Sequence, residues 1–330
     1  MQIGIVEWDI SAMGGRHRDM LAFADLFTEA GHDVEVLTDW GSDDAGWTST
    51  TFLEWFPFEH LDYGQFHWEV KSRNQVPPRR WEKFDVLLCS YGHWGYLGRH
   101  LPRTRIICYV LLPSQNRHGD PDIWVNSATT RRRLAASKIW GAYETQVVRP
   151  PHNYAHWRDA AKESRDNDVV ILGSLLHAKG VLDAARTCKK LGVSYIVIGA
   201  TWPAARDENT AIEADLRSMG AELYTNVRYT TVADIMGRSR VYLSMSQAES
   251  ASLAIYEAMN AGCQVVARDV GAAREQAGSC GHLFRVDTEA PDMIRRALTH
   301  NPVPASVLTA RGMRFDRLTI GHEALTAITQ

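Results

Sequence analysis

The sequence predicts an α/β chain built as two parallel-sheet domains, and three observations carry that reading. Short apolar runs alternate with stretches of helical periodicity, as in Ile3 to Val6, Arg16 to Ala30 and Val34 to Leu37. The alternation halts at a Pro-marked segment, Arg149-Pro150-Pro151-His152-Asn153, and restarts at Val169 to Leu172. A length of 330 residues exceeds one typical core.

The first domain is expected over residues 1–150. Its opening strand, Ile3 to Val6, runs into a turn ending in Gly14-Gly15. Met20, Phe23, Ala24 and Phe27 then recur at helical spacing up to the stop at Gly31. This opening suits a nucleotide fold but lacks the G-x-G-x-x-G dinucleotide spacing. Asp39 to Lys83 is irregular and aromatic, with Trp47, Trp55, Phe56, Phe58, Tyr63, Phe66, Trp68 and Trp81. Those rings serve either local packing or stacking on a sugar or nucleoside acceptor. Phe84 to Ser90 reads as a buried strand, Tyr91-Gly92-His93-Trp94-Gly95 as a loop, and Arg105 to Leu112 and Ile123 to Asn126 as further strands. Ser127 is placed to cap a helix over Thr129 to Lys138, and Thr145 to Val148 is the last strand. The boundary is expected within residues 149–166.

The second domain, residues 151–309, repeats the pattern. Val169 to Leu172 is a strand, Gly173 to Ala178 a loop, and Lys179-Gly180 opens a helix to Leu191. Tyr195 to Ile198, Ala221 to Thr225 and Val241 to Met245 read as strands, with helices over Ala211 to Met219 and Thr231 to Arg238. A Ser-rich turn, Ser246 to Ser250, leads to a helix from Leu253 to Ala261, a stop at Gly262 and a strand from Gln264 to Ala267. One terminal helix is expected near Ala305 to Ile328.

Composition narrows the function. Hydrophobic residues make up 45% and charged residues 23%, with a net charge of −3, so no electrostatic footprint for nucleic acid or an anionic membrane stands out. Arg131-Arg132-Arg133 and Arg79-Arg80 read as solvated faces. Five cysteines form no C-x-x-C pair and read as core hydrophobes of a reducing compartment. Glu7 and Asp9 argue against a signal peptide, and no apolar run reaches the roughly 18 residues of a membrane span. A soluble, cytoplasmic protein is expected. Asp43-Asp44 lies in an irregular loop rather than after a strand, so no metal site is expected.

The chemistry concentrates in Glu249-Ser-Ala-Ser-Leu-Ala-Ile-Tyr-Glu257-Ala-Met-Asn-Ala-Gly262. A helix start offers unpaired N–H groups and the positive end of a dipole to a phosphate, while a carboxylate beside it can accept hydroxyl hydrogen bonds. This run resembles the E-x7-E signature of the family 4 retaining glycosyltransferases, written E-G-F-G-L-P-x-x-E-A-M-A-x-G. Glu249, Leu253, Glu257, Ala258, Met259 and Gly262 match, whereas Ser250, Ala251, Ser252, Ala254 and Asn260 depart from it. Val125-Asn126-Ser127-Ala128-Thr129-Thr130-Arg131 also resembles that family's V-x-S-x-x-T-R strand end.

The resemblance implies a GT-B fold, two Rossmann-like domains facing a central cleft, with the terminal helix of about 310–330 packing back on the first. It implies a retaining hexosyltransferase that uses a nucleoside-diphosphate sugar, without metal or other cofactor, and an acceptor the sequence leaves unnamed. Glu257 would bind ribose hydroxyls and Glu249 the transferred sugar. The amides of Ala251, Ser252 and Leu253 would face the phosphates, with Ser250 also at the donor, and Asn226 to Tyr229 would abut the base. Gly14 and Gly15 would let the backbone approach the diphosphate. Gly173-Ser174-Leu175-Leu176-His177-Ala178-Lys179-Gly180 aligns with the family's G-R-x-x-x-x-K-G loop, keeping Lys179 but replacing its Arg by Ser174. Arg16, Arg18 and Arg149 are the candidate replacement cations. The family's strand-end His is also missing, with His93 and His118 the available catalytic candidates. Those departures keep two alternatives open: a catalytically weak sugar-nucleotide-binding protein, or a GT-B sugar-nucleotide epimerase.

Overall fold

The computed structural model describes residues 1–7, 14–38, 58–70, 75–90, 92–111, 119–299 and 302–330. These divide into two compact units, Met1–His152 with Arg317–Gln330, and Asn153–Asp316.

In the first unit the strands are β1 (Gln2–Glu7), β2 (Asp33–Thr38), β3 (Phe66–Trp68), β4 (Val86–Cys89), β5 (Arg105–Tyr109), β6 (Asp122–Val125) and β7 (Thr145–Val147). Among the described residues they form one sheet in the order β3-β2-β1-β4-β5-β6-β7, every pair parallel. The apolar runs read from the sequence lie at its centre, because a parallel sheet is covered on both faces. The helix Gly15–Glu29 packs Met20, Phe23 and Phe27 into one layer with Ile5, Tyr109 and Trp124, and Ile328 of the terminal helix closes it. Trp81, Trp94, Trp140 and the thiols of Cys89 and Cys108 fill the opposite layer. Ser127 caps the helix Ala128–Ala135 by accepting from the Thr130 N–H at 3.0 Å.

The second unit holds β8 (Asn167–Ser174), β9 (Tyr195–Ala200), β10 (Glu222–Thr225), β11 (Ser239–Ser244), β12 (Gln264–Arg268) and β13 (Gly281–Phe284). Among the described residues the order is β10-β9-β8-β11-β12-β13, again all parallel. Strand order therefore reverses between β1 and β4 in one sheet and between β8 and β11 in the other. In such sheets ligands bind beyond the strand carboxyl ends at that switch point.

Three local readings change. Gly92–Arg99 is a 3-10 helix rather than a loop, because Trp94 and Leu97, three residues apart, are both fully buried and three residues complete one 3-10 turn. The terminal helix is two, Ala305–Met313 and Arg317–Thr329. Between them the Phe315 and Asp316 N–H groups close tight turns onto Gly312 and Met313, and the buried Asp316 carboxylate accepts from the Tyr154 N–H and from Arg158. Gln264–Arg268 is followed by a further strand, β13, not read from the sequence.

All five cysteines are free and buried. Burial pushes the thiols of Cys188 and Cys263 up to about 12, leaving them inert at neutral pH. No helix of the described residues is long and apolar enough to cross a membrane.

Candidate active site

The second sheet's switch point lies where β8 and β11 run side by side, with Ile171 opposite Leu243. The chain after β8 turns through a 3-10 turn, His177–Lys179, into the helix Val181–Leu191. Gly180 joins them at φ +63, a left-handed backbone where any side chain would also run into the Met245 carbonyl. The Gln247 N–H donates to the Ala178 carbonyl at 2.9 Å, which ties the β8 loop to the β11 loop. This zipper brings Lys179 to Glu249: the ammonium donates to Glu249 Oε1 at 2.7 Å. Both side chains keep partial access to solvent, 33% for Lys179 and 19% for Glu249.

The Glu249 turn is held from the following loop. Gly271, at φ +56, packs against the Glu249 and Ser250 carbonyls, and the Ala272 N–H donates to the Ser250 carbonyl at 2.7 Å. Gln276, fully buried, grips Ser252 at both ends, accepting its N–H at 3.0 Å and donating to its carbonyl at 2.8 Å. That corrects one expectation: the Ser252 amide already has an acceptor and does not face a phosphate. The N–H groups of Ala251 and Leu253 have no acceptor among the described residues. They open the helix Leu253–Asn260, whose N-terminus carries the positive end of the peptide dipoles.

Glu257 sits inside that helix and is 1% exposed. Tyr242, also buried, lies on β11 within electrostatic reach of both carboxylates. Burial is the main cause that lifts its phenol well above the ordinary range, with Glu249 and Glu257 adding to it, so the ring stays neutral. Sequence reading passed over Tyr242 and Gln276, because each looks like an ordinary core residue until the loops are assembled around it. The helix end is clamped as well: Arg158 donates to Asn260 Oδ1 at 3.1 Å and to Asp316 at 2.7 Å.

Asn226 takes a left-handed backbone at φ 50, and its side-chain amide exchanges two bonds with Thr201, at 2.7 and 2.9 Å. It locks the ends of β9 and β10 together. Tyr229, by contrast, is 6% exposed and packs edge-on against Trp157 and beside His156, so its ring belongs to the core rather than to an open base pocket. Gly173 lies within β8, where a Cβ would meet Val181 at 3.2 Å, and Ser174 ends the strand half-buried beside Ala200.

In the first unit Gly14 precedes the helix Gly15–Glu29 with φ −77 and ψ 165, angles open to any residue, so no left-handed turn demands a glycine there. Its N–H donates to His17 Nδ1 at 3.0 Å. Arg16 bonds the buried Glu7 carboxylate at 3.2 Å, and Arg149 bonds Glu323 at 3.3 Å. His93 falls in the 3-10 helix with its side chain outside the description, and His118, Trp47, Trp55, Phe56 and Asp43-Asp44 lie outside the described residues. Of the aromatic stretch, Phe66 and Trp81 are buried while Tyr63 is exposed.

Residues 166–300 match the family described as Glycosyl transferases group 1, and this match supports a glycosyltransferase. No curated protein matches the chain by sequence. The chain is similar in structure to Anabaena HepE in complex with UDP-glucose, at a TM-score of 0.77 and 16% identity, covering 100% of this chain and 99% of that one. It is similar to sucrose-phosphate synthase from Thermosynechococcus elongatus, at 0.75 and 14%, covering 100% and 98%. A glycosyltransferase from Rickettsia africae follows at 0.72 and 12%, covering 99% and 97%. At these identities the likeness establishes the fold, which is GT-B.

Proposed function

We propose that this chain is a retaining glycosyltransferase of family 4 type, moving a hexosyl group from a nucleoside-diphosphate sugar to an acceptor hydroxyl. One observation carries the reading: Lys179 and Glu249, seventy positions apart in sequence, meet at 2.7 Å at the β8–β11 switch point beside two open amides. An ammonium and helix-start amides suit a diphosphate leaving group, on which charge grows as the sugar departs. A carboxylate at their edge suits sugar hydroxyls, and Glu257, one turn deeper, suits a ribose. The match to Glycosyl transferases group 1 over residues 166–300 supports the donor side of the reading. HepE, solved with UDP-glucose, makes a UDP-sugar the first donor to try.

In this scheme Lys179 and the amides stabilise the leaving diphosphate, so no metal ion is required for donor binding. The first unit would bind the acceptor. The test is nucleoside diphosphate release from UDP-, GDP-, ADP- and dTDP-glucose, followed by proton NMR of the product's anomeric coupling. Retention with undiminished turnover in EDTA supports the proposal. Inversion, or activity only with added divalent metal, refutes those parts of it. Absence of release from every donor refutes the transferase reading.

A further inference from the structure

We propose that Glu249 is an internal competitor for Lys179 that drives out the spent nucleoside diphosphate once the sugar has been transferred. The inference rests on the nucleotide-sugar reading above. The Glu249 carboxylate holds Lys179 at 2.7 Å, the contact a phosphate oxygen would need. The loop from Gly173 to Gly180 carries no arginine, since Ser174 stands where the resembling family has one. Arg268, at the end of β12, is turned elsewhere, to the Met245 carbonyl at 3.5 Å, the Arg285 carbonyl at 3.4 Å and the Asp287 carboxylate. A diphosphate entering here must therefore take Lys179 from Glu249.

The Glu249 oxygen released by Lys179 then needs a new donor. A sugar-loaded donor supplies hydroxyl groups, and Glu249 exchanges one charge-assisted bond for others. The nucleoside diphosphate left after transfer has lost the sugar and supplies no hydroxyl at that position. Glu249 then faces phosphate at like charge, or returns to Lys179 and displaces it. One carboxylate thus favours the loaded donor and disfavours the product. A loop with two cations would keep one on the phosphates throughout and lose this selectivity.

The experiment is calorimetric titration at fixed ionic strength. UDP, GDP, ADP and dTDP are screened, and the tightest is carried forward with its glucose conjugate. Wild type binds the conjugate more tightly than the diphosphate. Glu249→Gln, near-isosteric on a partly exposed turn, binds the diphosphate about three- to tenfold more tightly and the conjugate more weakly, so the preference inverts. Glu249→Ala gives the same sign. In a Lys179→Ala background the Glu249→Gln change no longer tightens the diphosphate, because nothing is left to compete for. Two results overturn the inference while wild type still binds: a diphosphate affinity unchanged or weakened by Glu249→Gln, or a tightening that persists without Lys179. If wild type binds none of the four, the nucleotide-sugar reading itself falls, and the competition with it.

Discussion

Lys179→Ala is the perturbation that most sharply separates binding roles from structural ones. Among the described residues the Lys179 side chain donates one bond, to Glu249 at 2.7 Å, and is one-third exposed. Its loss leaves a carboxylate that water can reach, so the stability cost should stay below about 1 kcal/mol. The kinetic cost should be larger. As the sourced cation of its loop, Lys179 meets a charge that grows on the leaving group, and removing one such donor costs about 2–4 kcal/mol in kcat/KM. Ser174→Arg supplies the missing fork from the end of β8 and should tighten diphosphate binding by about 2 kcal/mol. The assay is kcat/KM for both variants beside nucleotide affinity and a thermal melt. Suppose Lys179→Ala turns over normally while Arg16→Ala, which removes one partner of Glu7, abolishes activity. The phosphate would then be neutralised from the first unit, and the role given to this loop would be wrong.

Three other outcomes follow from separate parts of the molecule. Glu257→Gln should erase about 1.5–3 kcal/mol of the preference for a ribose over a 2′-deoxyribose diphosphate, read by titration; an intact preference would remove Glu257 from the ribose. Gly312→Ala should destabilise the second unit by about 1–3 kcal/mol in urea although alanine favours helices, because the new Cβ meets Asn260 Nδ2 at 2.6 Å. In an Asn260→Ala background, itself destabilised, Gly312→Ala should cost much less, and a neutral Gly312→Ala in wild type would contradict the packing at the Arg158–Asn260–Asp316 clamp. Asp19 provides a pH test. Burial, its main influence, raises its carboxyl above 3.8 despite the opposing pull of His152, Arg18 and Tyr109. The native state therefore keeps this proton to higher pH than the unfolded chain, and the stability the group contributes falls as pH rises through that window. Asp19→Asn removes that slope, so urea midpoints measured as pH rises above 3.8 should vary less than in wild type; an equal slope would assign the dependence elsewhere.

The fold class was legible because it is written in local patterns. Apolar runs and helical periodicity place most of the strands and helices, and the run from Val241 to Gln264 folds as strand, turn, helix and strand, as its Ser and Gly punctuation requires. What escaped was set by contacts between distant residues. Trp94 and Leu97 read as part of a polar loop and its flank, yet burying both winds them into a 3-10 helix. The terminal helix breaks because Asp316 is drawn to Tyr154 and Arg158, which no local signal announces. At the site, Lys179 and Glu249 were singled out by the family resemblance and meet in the structure, whereas Gln276 taking the Ser252 amide left no such sign. A buried glutamine twenty-four positions away leaves no mark on the motif it supports.

The central claim is that a nucleoside diphosphate sits at the β8–β11 switch point of the second unit. Hydrogen–deuterium exchange tests it most directly, with and without a saturating dose of the tightest of UDP, GDP, ADP and dTDP. Protection should concentrate in peptides covering residues 174–181 and 246–258, which hold Lys179, the open Ala251 and Leu253 amides, and Glu257. Protection confined to the first unit, with those two segments unchanged, would contradict the account.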